Sequence, residues 1–242
     1  MGAVTAVSLT QAALAGRTGR GVSIAVIDSG VHPSHPHVRR IVSGVAIDAE
    51  GRPGGDVTDR LGHGTAVAAA IHEKAPDAVL VAVKVFDRSL DTTARALVEA
   101  IRWAAAARVA LINLSLGTAR REAESALSVA VADASAAGIL IVAAAPDGST
   151  RWLPGALSGV IGVEADWDGP RDTCRLELRP DGTVRARASA FPRPIPGTAR
   201  PDNLQGVSFA VANATGLVAL AVEGAPVPTA ADLVRRLGGG PA

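Results

Sequence analysis

Apolar positions along the chain fall into two alternating kinds of run. Short, nearly unbroken stretches occur at residues 21–28 (GVSIAVID), 78–86 (AVLVAVKVF), 109–117 (VALINLSLG), 138–145 (GILIVAAA) and 159–165 (GVIGVEA). Continuous hydrophobicity over such short lengths predicts strands covered on both faces, as in a parallel sheet. Between them lie longer Ala-rich segments of helical period, at 64–73 (GTAVAAAIHE), 93–107 and 124–138. These read as crossover helices, because parallel neighbours need a connection long enough to return across the sheet. The alternation predicts an α/β fold, a three-layer doubly wound, mostly parallel sheet with helices on both faces.

The pattern changes after residue 165. The segment CRLELRPDGTVRARA (174–188) reads as a hairpin turning at Pro180-Asp181-Gly182. Seven arginines between 171 and 200 stand against Asp172, Glu177 and Asp181, so this stretch is locally basic, and a solvated hairpin face is the expectation. A second apolar helix at about 208–222 follows, then a short closing helix near Thr229, where Asp232 three residues on suits a capping box. No internal repeat or linker interrupts the chain. A single domain over 1–242 is expected, with its core at about 21–222 and a divergent hairpin and loop region at 166–205.

Composition narrows the class. With 242 residues and 48% hydrophobic content the chain can bury a sizeable core, which excludes disordered and fibrous classes. A net charge of +1 gives no electrostatic case for nucleic acid or an anionic membrane. No uncharged apolar stretch reaches the roughly 20 residues that span a bilayer. Cys174 is the single cysteine, so an internal disulfide framework and a cysteine-based zinc cluster are excluded. The opening MGAVTAVSLTQAALAGRTGRG has no basic region before its apolar residues, opposite to a secretory signal, and a cytoplasmic location is the expectation.

Three polar residues stand at unusual places in this pattern. Asp28 ends an apolar strand, His63 opens an apolar helix within GHGT, and Ser208 opens another within QGVSFA. Singly, each reads as a helix cap or an incidental polar contact. In an open α/β sheet, however, strand carboxyl ends and helix N-termini meet along one edge, where ligands bind. A serine hydroxyl needs a base to become a nucleophile near neutral pH, and the base must be oriented and stabilised as it becomes cationic. Ser208, His63 and Asp28 can fill those roles in that order.

The stretches VIDSGVHPSHP, GHGTAVAAAI, APDAVLVAVKVF, LINLSLG, ILIVAAA and GVSFA resemble, in order, the landmark segments of the subtilisin-like serine peptidases, or subtilases. The resemblance runs from about Gly21 to about Leu220 and is weak only across 166–205. It implies a serine endopeptidase with Asp28 as orienting carboxylate, His63 as general base and acid, and Ser208 as acylated nucleophile. It further implies that Ser115, Leu116 and Gly117 pair with substrate backbone as an added strand, and that Ala143, Ala144 and Ala145 form the opposite wall of the first specificity pocket. A peptide or precursor-protein substrate follows, with neither nucleic acid nor membrane as partner; limited processing of a restricted substrate is the expectation on separate grounds, the missing secretory signal and Asp147.

The chain departs from the family at two places near this site. Pro146 and Asp147 stand where a Gly-Asn normally supplies a donor to the oxyanion. An ionised carboxylate has no proton to give and repels the developing charge. A protonated Asp147 acting as donor, and an oxyanion held by the Ser208 N–H alone, both stay open. So do a catalytically weak or inactive peptide-binding module and an acyl-transferring cyclase or ligase. After the nucleophile, Val211-Ala212-Asn213 replaces the usual Thr-Pro-His.

Other candidates weigh less. His32, His35 and His37 cluster, but the family pattern explains His35-Pro36 by loop packing, and no metal is expected there. No cofactor is expected; many subtilases bind structural calcium through loop carboxylates, yet no Asp-rich calcium loop stands out. Cys174 reads as a hairpin residue, not a nucleophile.

Overall fold

Both faces of the expected strands are covered, and the sheet they form extends further than the apolar runs indicate. The computed structural model describes residues 4–145, 150–225 and 228–239. In chain order the elements are β1 (Thr5–Thr10), β2 (Ser23–Asp28), β3 (Ile41–Ile47), β4 (Pro53–Gly54), α1 (His63–Lys74), β5 (Val79–Lys84), α2 (Ala94–Ala106), β6 (Leu111–Leu114) and α3 (Glu124–Ala136). There follow β7 (Leu140–Ala144), β8 (Val160–Asp166), β9 (Thr173–Leu178), β10 (Val184–Ser189), α4 (Val207–Val222) and α5 (Ala230–Leu237). The strands form one sheet in the order β1-β9-β10-β8-β7-β6-β2-β5-β3-β4. From β10 through β3 every neighbouring pair is parallel. Antiparallel pairing is confined to the margins, at β1–β9, β9–β10 and β3–β4.

The side chains of β2 show why hydropathy does not alternate. Ile24 and Val26 enter a core with Val67 and Ile71 of α1, Phe209 and Leu217 of α4 and Leu233 of α5. Ala25 and Ile27 enter a second core with Leu97 and Ile101 of α2 and Leu127 and Val131 of α3. Period-2 alternation is present in space but hidden in sequence, because each face meets apolar helices. Helix α4 is the central element: every residue from Phe209 to Val222 is buried, as expected for a helix apolar on all sides.

Strands β1 and β3–β4 are not marked by the sequence pattern. Of β1 only Leu9 is buried; the strand forms because the hairpin offers an edge, pairing Thr5 with Leu178 through Thr10 with Thr173. The hairpin itself is present, with Cys174, Leu176, Val184, Ala186 and Ala188 turned to the core. Burial pushes the Cys174 thiol up to about 12, which suits a packing residue and not a nucleophile.

The expected solvated hairpin face needs correction at two arginines. Arg171 pairs with Glu73 at the end of α1 and donates to Phe191 O at 3.2 Å. Arg185 donates to Gly155 O at 2.5 Å. Glu73 also holds the buried Lys74 ammonium at 2.7 Å, so the basic stretch partly anchors neighbouring elements. At the chain's end, Thr229 Oγ1 accepts the Asp232 N–H at 3.1 Å, as the capping pattern predicts.

Candidate active site

Strand β2 delivers Asp28 to the carboxyl edge of the sheet, fully buried. Its Oδ1 accepts the Ser29 N–H at 2.7 Å and lies 2.7 Å from His63 Nδ1. Asp28 Oδ2 is buried with no hydrogen-bond partner among the described residues. An acceptor-only carboxylate at that distance fixes the proton on Nδ1 and leaves the Nε2 lone pair free to accept one. Burial, the largest influence on the ring, pulls its pKa down. The hydrogen bond and charge of Asp28, with the charge of Asp59, outweigh burial and raise it above the ordinary 6.5.

His63 is the first residue of α1, and the loop before it has its own support. Gly62 at the cap lacks a side chain, so the first-turn N–H groups need acceptors from elsewhere. Asp59 serves both the loop and the helix: Oδ1 accepts from Leu61 and Gly62 N–H, each at 2.9 Å, and Oδ2 accepts from the first-turn Thr65 N–H at 2.8 Å and from Thr65 Oγ1 at 2.6 Å. Ser29 Oγ donates to Asp59 at 2.8 Å and accepts the Gly64 N–H at 2.9 Å. Burial works to raise the Asp59 pKa, but these hydrogen bonds prevail and keep it below the usual value. A Cβ on Gly64 would lie 2.2 Å from Gly30 O, which explains the glycine after His63.

Ser208 is the second residue of α4, and the next residue, Phe209, sets its ring 5.7 Å from the His63 ring. The Ser208 hydroxyl donates to Ser115 O at 3.0 Å. Asp28 and His63 are thus in direct contact, while Ser208 reaches the same edge with its hydroxyl bonded to the facing segment. That segment departs from the sequence-based reading: β6 ends at Leu114, and Ser115, Leu116 and Gly117 leave the sheet.

A buried polar chain holds this junction. Thr215 Oγ1 donates to Asn113 Oδ1 at 2.9 Å, Asn113 Nδ2 to Ser115 Oγ at 3.0 Å, and Ser115 Oγ to Ser208 O at 3.3 Å. It links α4, β6 and the loop facing Ser208. Thr215→Val is expected to leave Asn113 with an unpaired buried acceptor and to lower stability by about 1–3 kcal/mol, measured as a shift in the urea unfolding midpoint. Nearby, the sequence departure at Asn213 has a structural use: its Nδ2 donates to Ser189 O at 2.9 Å and Phe191 O at 3.0 Å, tying α4 to the end of β10 and the chain after it.

The remaining sequence candidates separate. Ala143, Ala144 and Ala145 are all buried, and Gly155 packs closely against Ala144 O. Asp147 lies outside the described residues. His32, His35 and His37 line a cavity of about 360 Å³ together with Asp59 and Arg193. Among the described residues no three His, Cys, Asp or Glu are grouped to hold a metal ion. Likewise, no helix among them is long and apolar enough to cross a membrane. Asp59, Ser29, Asn113 and Thr215 are site residues that sequence reading passes over; for Asn113 and Thr215 the available signal is a polar residue inside an apolar run.

Comparison with known proteins sets this geometry in context. The chain is 36% identical over 180 residues to a thermostable alkaline protease of Halalkalibacterium halodurans, covering 69% of this chain and 48% of that protein. It is 30% identical over 237 residues to subtilisin E of Bacillus subtilis, covering 92% of this chain and 61% of the relative. The chain thus spans about half to three fifths of the length of these two relatives. The solved structure of sphericase superposes with a TM-score of 0.68 at 27% identity, over 90% of this chain and 82% of that one. Residues 19–168 match the model of the subtilase family, and the chain belongs to that family.

Proposed function

We propose that the protein is a serine endopeptidase in which Asp28, His63 and Ser208 act as a catalytic triad. The observation that carries this reading is the 2.7 Å contact between buried Asp28 and His63 Nδ1, with Ser208 in the first turn of α4 beside it. In the reaction, the Ser208 hydroxyl leaves Ser115 O and turns to His63 Nε2. Ser208 Oγ attacks the substrate carbonyl as His63 takes its proton, and Asp28 stabilises the imidazolium. His63 then gives the proton to the leaving amine, and the acyl-enzyme is hydrolysed by water activated at the same nitrogen. The backbone N–H of Ser208, in the first turn of α4, is the donor assigned to the oxyanion, where a helix terminus favours negative charge.

The substrate is a peptide or protein chain, and we assign this protein a restricted processing role. The support is Asp147, which in sequence takes the place of the family's amide donor. An ionised Asp147 opposes the oxyanion and holds turnover down. Asp147→Asn is therefore expected to raise turnover by about 10²-fold, the size of one oxyanion donor, read from steady-state kinetics on one peptide. A slower variant would make Asp147 the working, protonated donor.

The reading is tested by digesting a peptide library with the parent and with Ser208→Ala and analysing the products by mass spectrometry. New internal termini in the parent alone support a peptidase. Joined or cyclised products would indicate acyl transfer, and identical, undigested libraries would indicate a binding module.

A further inference from the structure

Between Ser115–Gly117 and Ala143–Ala145, the two segments assigned to substrate, one side chain already occupies space. The loop after residue 150 crosses from Ser115–Gly117 to Ala143–Ala145. On one side Thr118 and Leu153 form an isolated antiparallel bridge, their N–H groups each donating to the other's carbonyl at 2.9 Å. On the other side Gly155 presses against β7 so closely that a Cβ there would lie 2.1 Å from Ala144 O. The half-buried Trp152 stands between these anchors. Its Cε3 lies 3.0 Å from the position that a Cβ on Gly117 would take, so the indole fills the volume that Gly117 leaves beside the substrate-pairing segment.

The backbone that carries the indole is itself anchored. Trp152 O accepts the Ala156 N–H at 2.8 Å, and Pro154 O accepts the Leu157 N–H at 2.8 Å. Arg185, reaching in from β10, donates to Gly155 O at 2.5 Å, and its Nη1 would lie 2.2 Å from a Cβ on Gly162 beneath. These bonds fix the Cα of Trp152 between the two segments, so the indole is presented toward Gly117 from a backbone tied at Leu153, Gly155 and Ala156.

We infer that Trp152 is a specificity-determining residue that fills the first side-chain pocket and restricts cleavage to bonds following small residues, Gly, Ala or Ser. This rests on the proposed peptidase reading of the same site. A larger side chain at that place would have to overlap the indole, whereas a methyl or hydroxymethyl group can lie on its face. Backbone pairing along Ser115–Gly117 then supplies affinity without help from a deep pocket.

The test compares the parent with Trp152→Gly and Trp152→Ala on a library varied only at the residue before the scissile bond. The parent is expected to cleave after Gly, Ala and Ser at least about tenfold faster than after Leu, Met or Phe, and both variants to shift by about tenfold or more toward the large residues, within the range that pocket contacts command. Equal or faster parent cleavage after Leu or Phe, or unchanged profiles in folded variants, overturns the inference. Independently of turnover and of the variants' folding, acetylated tetrapeptide acids ending in Ala are expected to bind the parent more tightly than those ending in Phe, by calorimetry. The reverse order overturns the inference. A parent that shows this binding order yet cleaves nothing overturns the peptidase reading while leaving the pocket assignment standing.

Discussion

Ser208→Ala lowers turnover by about 10⁶-fold, the loss seen when a triad nucleophile is removed, while peptide affinity stays near that of the parent. Chemistry and architecture are separable at this residue. The Ser208 side chain makes one hydrogen bond, to Ser115 O at 3.0 Å, and sits half-buried at the start of a helix whose remaining turns supply the packing. Removing one oxygen costs little folding energy, so stability changes by about 1 kcal/mol or less. What remains is the peptide-binding surface proposed along Ser115–Gly117, together with the helix terminus. Burst-phase and steady-state kinetics on one cleavable peptide check this, and a variant retaining more than about one thousandth of parental turnover contradicts the assignment.

Asp28→Asn lowers kcat/KM by about 10⁴-fold with the fold intact. The carboxylate accepts the Ser29 N–H and faces His63 Nδ1, both at Oδ1. An Asn whose amide oxygen takes the Oδ1 position still accepts both bonds, but its NH₂ then lies at the buried Oδ2 position, which has no partner among the described residues, and the negative charge is gone. The ring then loses the carboxylate that stabilises its cation. The same substitution moves the pH profile. A general base works when neutral, so activity is lost as pH falls through the His63 pKa. In the parent, Asp28 and Asp59 raise that pKa above 6.5 against the pull of burial, placing the acid limb of kcat/KM above 6.5. In Asp28→Asn burial remains while the main opposing charge is gone, and the limb moves to lower pH. A limb that stays in place would mean that another group sets it.

How much of this was legible in sequence depends on what each residue touches. The parallel strands announce themselves because both faces meet helices, as Ile24 and Ile27 do from one strand. Strand β1 does not, since its stability comes from the edge of β9 and only Leu9 is buried. Residues 109–117 read as a single strand because the run is apolar, yet the chain leaves the sheet at Ser115, where its backbone is needed by Ser208. The candidate triad is legible through motif order. Asp59 is not, because an aspartate in DRLG looks like loop surface until its carboxylate is seen accepting from Leu61, Gly62, Thr65 and Ser29. Trp152 is hidden for a related reason: its significance lies in a contact with Gly117, thirty-five residues away, that no local pattern encodes.

The account stands or falls on Ser208 being a nucleophile activated by His63. Treating the folded chain with an alkyl fluorophosphonate between about pH 5 and 9 and mapping the adduct by mass spectrometry measures this directly. The account predicts one adduct, on Ser208, forming faster as pH rises through the raised His63 pKa and abolished in His63→Ala. No adduct on Ser208, or labelling indifferent to pH and to His63, would contradict it.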